Sequence, residues 1–444
     1  MKVKYYNNSA ILVEHKGTKI LVDPWLFGQT NIGSWSMYPK LDIDWSEFDD
    51  LDYIHITHIH TDHLHVPTLQ KLPDDIPVLI HKWDDKFVKM NLERIGKKVI
   101  ELEHGEKFNL GEDFDFHLYA ADGCNPEVCF KFFGCGKLTP KSKSVGIDTF
   151  SVMTTSEKTF VQTNDCPYPI MKNTIQVIKD TFKEIDLLFT LYTGAGSYPQ
   201  QMANYTDDEK INKYGIQKRD KFLDYGINFL KDFKPKYYMP YGGTYTLTGR
   251  FAHLDKLKGT PTRVEALKIY EKNYSGGKGF LLNGCESYDL ETNEVSAPYV
   301  EPDLKEKQKY IDEVLSKIKM PYEYDEDVSL EQMIEFIPKA FERFSKKRKE
   351  MNYSTNTNLY IYLVDNKMLK IPFDGNHYSI IDEKDFNDDN YVTYKMHPKL
   401  LYGILKGPKY YHMNNADGGS HIEWHRKPDI YQSQMYHIMN YFHA

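Results

Sequence analysis

Between Tyr53 and His65 the chain reads Tyr-Ile-His-Ile-Thr-His-Ile-His-Thr-Asp-His-Leu-His, which puts His58, His60, Asp62 and His63 within six residues. Imidazole nitrogens and a carboxylate are donors that Zn²⁺, Fe and Mn all accept, and ligands this close in sequence are readily shared between two ions. The spacing therefore predicts a dinuclear metal centre. A tight loop can turn His58 and His60 toward one ion while Asp62 and His63 reach the other. His55 and His65 fall outside this spacing and are expected to be structural or pocket-wall residues.

The elements that must position these side chains can be read from hydrophobic patterning. Val3–Val13 and Lys19–Val22 read as two strands of an N-terminal hairpin, closed by Asp23-Pro-Trp25. Asp52–Thr57 alternates and is β-branched, so it reads as a strand delivering the histidine-rich loop at its carboxyl end. Pro67–Leu72 suggests a short helix and Val78–His81 the next strand. Further strands are expected at Lys98–Leu102, Phe114–Tyr119, Val145–Thr154, Thr159–Thr163 and Leu187–Thr190, with helices over Tyr168–Thr181 and Asp207–Lys231. This alternation indicates a layered α/β domain over residues 1–298. Residues 299–444 begin with charged, helical sequence and continue through strands such as Leu359–Val364 and His421–Trp424, so they predict a smaller C-terminal α+β domain. Its many aromatics argue for a packed unit that caps the site or forms a homodimer contact.

Composition narrows the function classes. With 444 residues, 41% of them hydrophobic, the chain can bury more than one core. A formal net charge of -8 argues against nucleic acid as a partner. No stretch has the apolar length of a membrane span and the first residues lack the apolar core of a signal peptide, so a soluble cytoplasmic protein is expected. The 5 cysteines, an odd number, fit reduced thiols. Cys124, Cys129 and Cys135 cluster without a Cys-x-x-Cys knuckle, and no cysteine is followed two residues later by histidine.

The motif Thr57-His-x-His-x-Asp-His63, on a post-strand loop after a hairpin ending Asp23-Pro-Trp, resembles the metallo-β-lactamase superfamily. That resemblance implies an αββα sandwich and a bridging aspartate just after a later strand. Asp165, in Phe160-Val-Gln-Thr-Asn-Asp-Cys166, stands at that place, although Asn164-Asp165 before Pro167 also reads as a turn. The superfamily's third histidine has no counterpart, because no histidine occurs between His117 and His253. Asp148 occupies the corresponding region, with Asp122 and Glu127 as alternatives. A carboxylate there makes the site harder and more anionic, which suits Fe or Mn better than Zn. His253 is the candidate for the late histidine ligand, though it lies more than ten residues past the expected strand end.

A closer resemblance is to one branch, the metal domain of CMP-N-acetylneuraminate hydroxylase and its bacterial relatives. It is carried by Asp23-Pro-Trp25, His58–Leu64, Asn164-Asp-Cys166, Tyr192–Pro199, Pro240-Tyr-Gly-Gly243 and Arg426–Tyr431. It implies an oxygenase whose two metal ions activate O₂ to hydroxylate a polar substrate; the glycine-rich loops Tyr192–Tyr198 and Tyr241–Tyr245, with their aromatic and hydroxyl side chains, suit a sugar-like or nucleotide-linked one. The oxygenase's electrons would come from a separate donor protein or from the substrate. The competing expectation is a hydrolase in which Asp62 or Asp165 orients a metal-activated water toward a carbonyl or phosphoryl centre. A metal-stabilised scaffold is a third class, disfavoured because structural sites are usually closed by four strong ligands. For the substrate, Tyr192, Ser197 and Tyr241 sit in glycine-rich loops and Arg250 could clamp a phosphate or carboxylate. The tyrosines read equally well as packing residues and Arg250 as a surface ion-pair partner.

Overall fold

The computed structural model describes residues 1–83, 86–120, 148–373 and 375–444. The expected alternative ligands Asp122 and Glu127 and the cysteine cluster 124–135 lie outside these residues. Cys166 and Cys285, which lie within them, are free thiols.

Two sheets face each other. The first has eight strands in the order Glu294–Val295, Glu286–Asp289, Lys2–Asn7, Ala10–His15, Thr18–Val22, Tyr53–His55, Val78–His81 and Val99–Leu102. The second has seven, in the order Lys278–Gly279, Tyr237–Pro240, Leu187–Thr190, Thr159–Gln162, Thr149–Thr154, Phe114–Ala120 and Lys107–Gly111. Successive strand side chains point to opposite faces, and the sequence uses both. Val3, Tyr5, Ile11, Val13, Ile20 and Val22 meet Phe114, Phe116, Phe160, Leu187, Phe189 and Met239 in a core between the sheets. The neighbouring residues Leu12, Leu21 and Ile54 pack outward with Leu69 and Leu92. On the far side, Val161, Leu188 and Tyr238 pack against helical residues including Ile175, Phe229 and Tyr270. The layers are therefore helix, sheet, sheet, helix.

The N-terminal strand expectation needs one correction. Val3–Val13 is not continuous: Lys2–Asn7 and Ala10–His15 are separate antiparallel strands, joined by a tight turn at Asn8 and Ser9. Asn8 has φ +50°, a left-handed conformation that asparagine tolerates better than β-branched residues. The extra turn puts Asn8 at the end of the sheet where the histidine loop emerges.

The C-terminal part contains a five-stranded sheet in the order Ser379–Asp382, Lys367–Pro372, Asn358–Tyr362, Tyr391–Lys395 and Glu423–Lys427. Its core is continuous with the loops above the sandwich, since Leu359, Ile371, Leu401 and Trp424 cluster with Trp25, Trp35, Met202 and Tyr245. A backbone bond from Trp424 to Gln201 O at 2.9 Å and one from Ala203 to Trp424 O at 2.7 Å stitch the last strand to residues 201–203. Among the described residues no helix is long and apolar enough to cross a membrane.

The helix Gly215–Phe233 lies close against the end of the second sheet at Gly226. A Cβ there would fall 1.8 Å from Tyr270 Oη and 2.6 Å from Leu191 O, atoms that are hydrogen-bonded to each other. Gly226→Ala must push the helix off the sheet, and is expected to destabilise the protein by about 1–3 kcal/mol, the usual cost of overpacking. Urea unfolding measures this; an unchanged midpoint at unchanged slope would show that the contact is soft.

Candidate metal centre

The strand Tyr53–His55 runs parallel to both its neighbours, so its carboxyl end opens at the rim of the first sheet. Ligand-bearing loops in α/β folds gather at such ends. His63 N and Leu64 N both donate to His60 O, at 3.0 and 2.8 Å, which curls the loop into a single tight turn. The loop is closed by a short helix, Val66–Leu69, whose N-cap is His65. His65 Nδ1 accepts from Thr68 N at 3.3 Å, and burial holds the ring at a pKa of about 4. His55 donates from Nδ1 to Leu79 O at 2.9 Å and packs edge-on against Phe116. Both rings thus have structural work, as their position outside the motif suggested.

Two groups of metal-capable donors form around the turn, His58 with His60 and Asp148, and His58 with His63 and Asp165; within each the donor atoms lie within 4.8 Å of one another. His58 Nε2 is 2.8 Å from His60 Nδ1 and 3.4 Å from Asp148 Oδ1. His63 Nε2 stands 3.3 Å from Asp62 Oδ2 and 3.3 Å from Asp165 Oδ2. Asp148 immediately precedes the strand Thr149–Thr154, and Thr149 Oγ1 donates to Thr57 O at 3.1 Å, which fixes that strand end against the loop. Asp165 follows Asn164, which has φ +51°, so the turn and the carboxylate's position belong together.

A second set of residues orients the first. Asp23 is fully buried. Its Oδ2 accepts from Thr57 Oγ1 at 2.7 Å, His63 Nδ1 at 2.7 Å and Asn164 Nδ2 at 3.0 Å, while Oδ1 accepts from Thr57 N at 2.9 Å. With Nδ1 donating to Asp23, His63 directs Nε2 toward Asp62 and Asp165. Thr57 Oγ1, having donated to Asp23, accepts from His58 Nδ1 at 3.0 Å, so His58 likewise turns a lone pair outward on Nε2. Asn8 Nδ2 donates to Asp62 Oδ2 at 2.8 Å, and Asn8 Oδ1 accepts from Thr244 N at 3.0 Å. Such outer partners set the tautomer and aim of metal ligands.

This donor set fits metal ions. His63 Nε2 is buried without a hydrogen-bond partner among the described residues and has an aspartate oxygen on either side. Charge points the same way. Burial opposes ionisation of Asp62, but His63, His60 and the Asn8 amide outweigh it and hold the carboxyl at about 2. Burial and the neighbouring Asp165 instead push Asp148 up to about 8. Four carboxylates, Asp23, Asp62, Asp148 and Asp165, converge where cations would balance them.

Other expected site residues lie elsewhere. His253 is exposed on the 3-10 helix Gly249–Leu257 and belongs to neither donor group. After the strand Tyr237–Pro240 the chain first pairs Thr246–Leu247 with Trp35–Ser36, which carries residue 253 away. The residue beside Asp165 at that strand end is Gly242, whose Cβ would lie 3.6 Å from Asp165 Oδ1. Tyr192 and Tyr241 are buried; Tyr192 Oη bonds Thr244 Oγ1 at 2.6 Å, and Tyr241 Oη accepts from Gln162. They brace the loops and present no hydroxyl to a ligand. Ser197 is buried and donates to Asp417. Arg250 is exposed, on the same helix as His253.

The α/β/β/α sandwich with this histidine loop at a strand end is the arrangement that the resemblance to the metallo-β-lactamase superfamily leads one to expect. Residues 2–124 match the family described as beta-lactamase superfamily domain. The chain is 24% identical over 258 residues to cytidine monophosphate-N-acetylneuraminic acid hydroxylase of Xenopus laevis, covering 55% of this chain and 38% of that protein. It is 25% identical over 236 residues to the Sus scrofa protein of that name, covering 51% and 48%. Over 226 residues it is 24% identical to a putative Rieske 2Fe-2S iron-sulfur protein of Mycolicibacterium smegmatis, covering 50% and 40%. The chain thus spans less than half the length of these relatives. Among solved structures, isothiocyanate hydrolase from Delia radicum gut bacteria aligns at 15% identity and TM-score 0.44, covering 65% of this chain and 99% of that one.

Asp23→Asn removes the charge that holds His63 while preserving volume. It is expected to weaken metal binding by about 10–100-fold, in line with other outer-shell changes. Competition against a chromophoric chelator gives the affinity and the melting curve of the metal-free protein controls for folding; an unaltered affinity would remove Asp23 from the site.

Proposed function

We propose that this chain is an iron-dependent oxygenase that hydroxylates a small polar molecule at a dinuclear centre. His58, His60 and Asp148 would hold one ion, Asp62 and His63 the other, and Asp165 would reach between them. The observation that carries this reading is the grouping of His58 and His60 with a carboxylate, Asp148. Two imidazoles and one carboxylate are the facial donor set of non-haem iron(II) oxygenases, which leaves positions open for oxygen and substrate. Iron bound there supplies oxygen activation through one-electron steps that zinc, having no redox chemistry, does not offer. The hydroxylase names of the curated relatives support the reading.

The chain's own residues would then divide the remaining work. Asp23 and Thr57 keep His63 and His58 in the tautomers that present Nε2. Asn8 aims Asp62, and against the cost of burial His63 does most to keep it ionised. Asp165, whose side chain is 23% exposed, is the carboxylate open enough to exchange a proton with substrate at its Oδ2. Electrons would come from a separate donor protein or from the substrate. A hydrolase is the second reading, favoured by Asp62 and Asp165 flanking His63 Nε2 at 3.3 Å each, where two carboxylates could orient a water.

Oxygen uptake separates the two. Loaded with Fe(II) and given a chemical reductant, the protein is expected to consume O₂ well above the buffer rate, and Asp148→His, which creates three imidazoles, to lose at least about tenfold of that rate, ~1.4 kcal/mol of barrier. Zinc-loaded protein that hydrolyses ester or lactone substrates, beside iron-loaded protein that takes up no oxygen, would replace the oxygenase by the hydrolase.

A further inference from the structure

A cavity of about 470 Å³ opens between the sandwich loops and the C-terminal sheet, lined among others by Gln200, Arg250, His253, His397 and His421. That volume suits a small molecule. In a 3-10 helix side chains at i and i+3 eclipse, so Gly249–Leu257 stacks Arg250 and His253 on one face, and both line the cavity. Two cations and two carboxylates on the walls largely cancel, Lys210 lying 3.7 Å from Asp207 and Lys395 3.8 Å from Glu423. Arg250 is less committed. Its carboxylate partner, Glu323, is 4.0 Å away, and it also touches the Tyr322 hydroxyl and lies over the Phe251 ring.

The remaining polar groups have defined roles. His421 Nε2 donates to Asn31 O at 2.9 Å, so its Nδ1 accepts from Tyr322 Oη at 3.0 Å; this ring is wall. His397 Nδ1 accepts from Lys399 N at 3.3 Å as a helix cap, which leaves the proton on Nε2. Gln200 is 1% exposed. Its Nε2 donates to Gly196 O at 2.6 Å and Ser420 Oγ at 3.0 Å, while Oε1 has no partner among the described residues. A buried acceptor without a protein partner is ordinarily satisfied by a donor from water or a ligand. Phe251 and Met396 add apolar surface.

We propose that this cavity binds a small hydroxylated acid, its carboxylate or phosphate on Arg250 with His253 and His397 beside it, and a hydroxyl donating to Gln200 Oε1. The site stands whether or not the metal chemistry is that proposed above. It adjoins the metal loop: Asn31, which takes the His421 bond, also accepts from Thr61 Oγ1 at 3.1 Å, between His60 and Asp62.

Calorimetry on the metal-loaded protein with gluconate, inorganic phosphate and glucose tests the site. Gluconate is expected to bind more tightly than phosphate, which lacks the hydroxyl chain, and glucose, which lacks the charge, to show no measurable binding. Arg250→Ala is expected to weaken gluconate at least tenfold and Gln200→Glu to abolish it, while Asp62→Asn in the metal loop leaves it unchanged. Because Arg250 is exposed, its truncation should leave the melting curve in place. Equal binding by Arg250→Ala, loss of binding in Asp62→Asn, or glucose binding as well as gluconate would overturn the proposal.

Discussion

The buried carboxylate of Asp23 is the point on which the rest of the centre depends. It lies just beyond the strand Thr18–Val22 and takes four hydrogen bonds from three residues on two stretches of chain: Thr57 and His63 of the histidine loop, and Asn164 just after a strand of the opposite sheet. Burial works against its charge, and His63, His55 and the Thr57 backbone bond more than repay that cost, so Asp23 stays below the usual carboxylate range. One anion therefore joins the two sheets at their rim and fixes the ring orientation of His63. A neutral side chain of the same shape could fill the space without fixing the charge or the tautomer.

From that anchor the donors fall into two environments. The His58, His60 and Asp148 side is reached from the loop and the start of one strand, and Asp148 is buried. The side with Asp62, His63 and Asp165 is held by Asn8, and Gly242 places no side chain beside the partly exposed Asp165. The two sides thus differ in composition, two imidazoles with one carboxylate on the first and one imidazole flanked by two carboxylates on the second.

Much of this was legible because the information is local. His58, His60, Asp62 and His63 fall within six residues, and short apolar runs such as Leu187-Leu-Phe189 mark strands buried on both faces between two layers. What escaped depends on distant convergence. Asn8 lies within Val3–Val13, which reads as a single strand, and its left-handed backbone shows that the chain turns there to reach Asp62. Thr57 and Asn164 look like loop and turn residues until Asp23 joins them. His253 seemed a ligand by distance along the chain from a strand end, but an intervening pair, Thr246–Leu247 with Trp35–Ser36, diverts it toward the cavity it shares with Arg250. Tyr192 and Tyr241 occupy glycine-rich loops, yet their hydroxyls are used inside the protein.

The central claim is that Asp148, standing with two imidazoles, turns a zinc-type hydrolytic site toward iron. Metal analysis by mass spectrometry on protein purified without added metal tests this most directly. Iron as the dominant bound metal is the result expected. Stoichiometric zinc with no iron would contradict it.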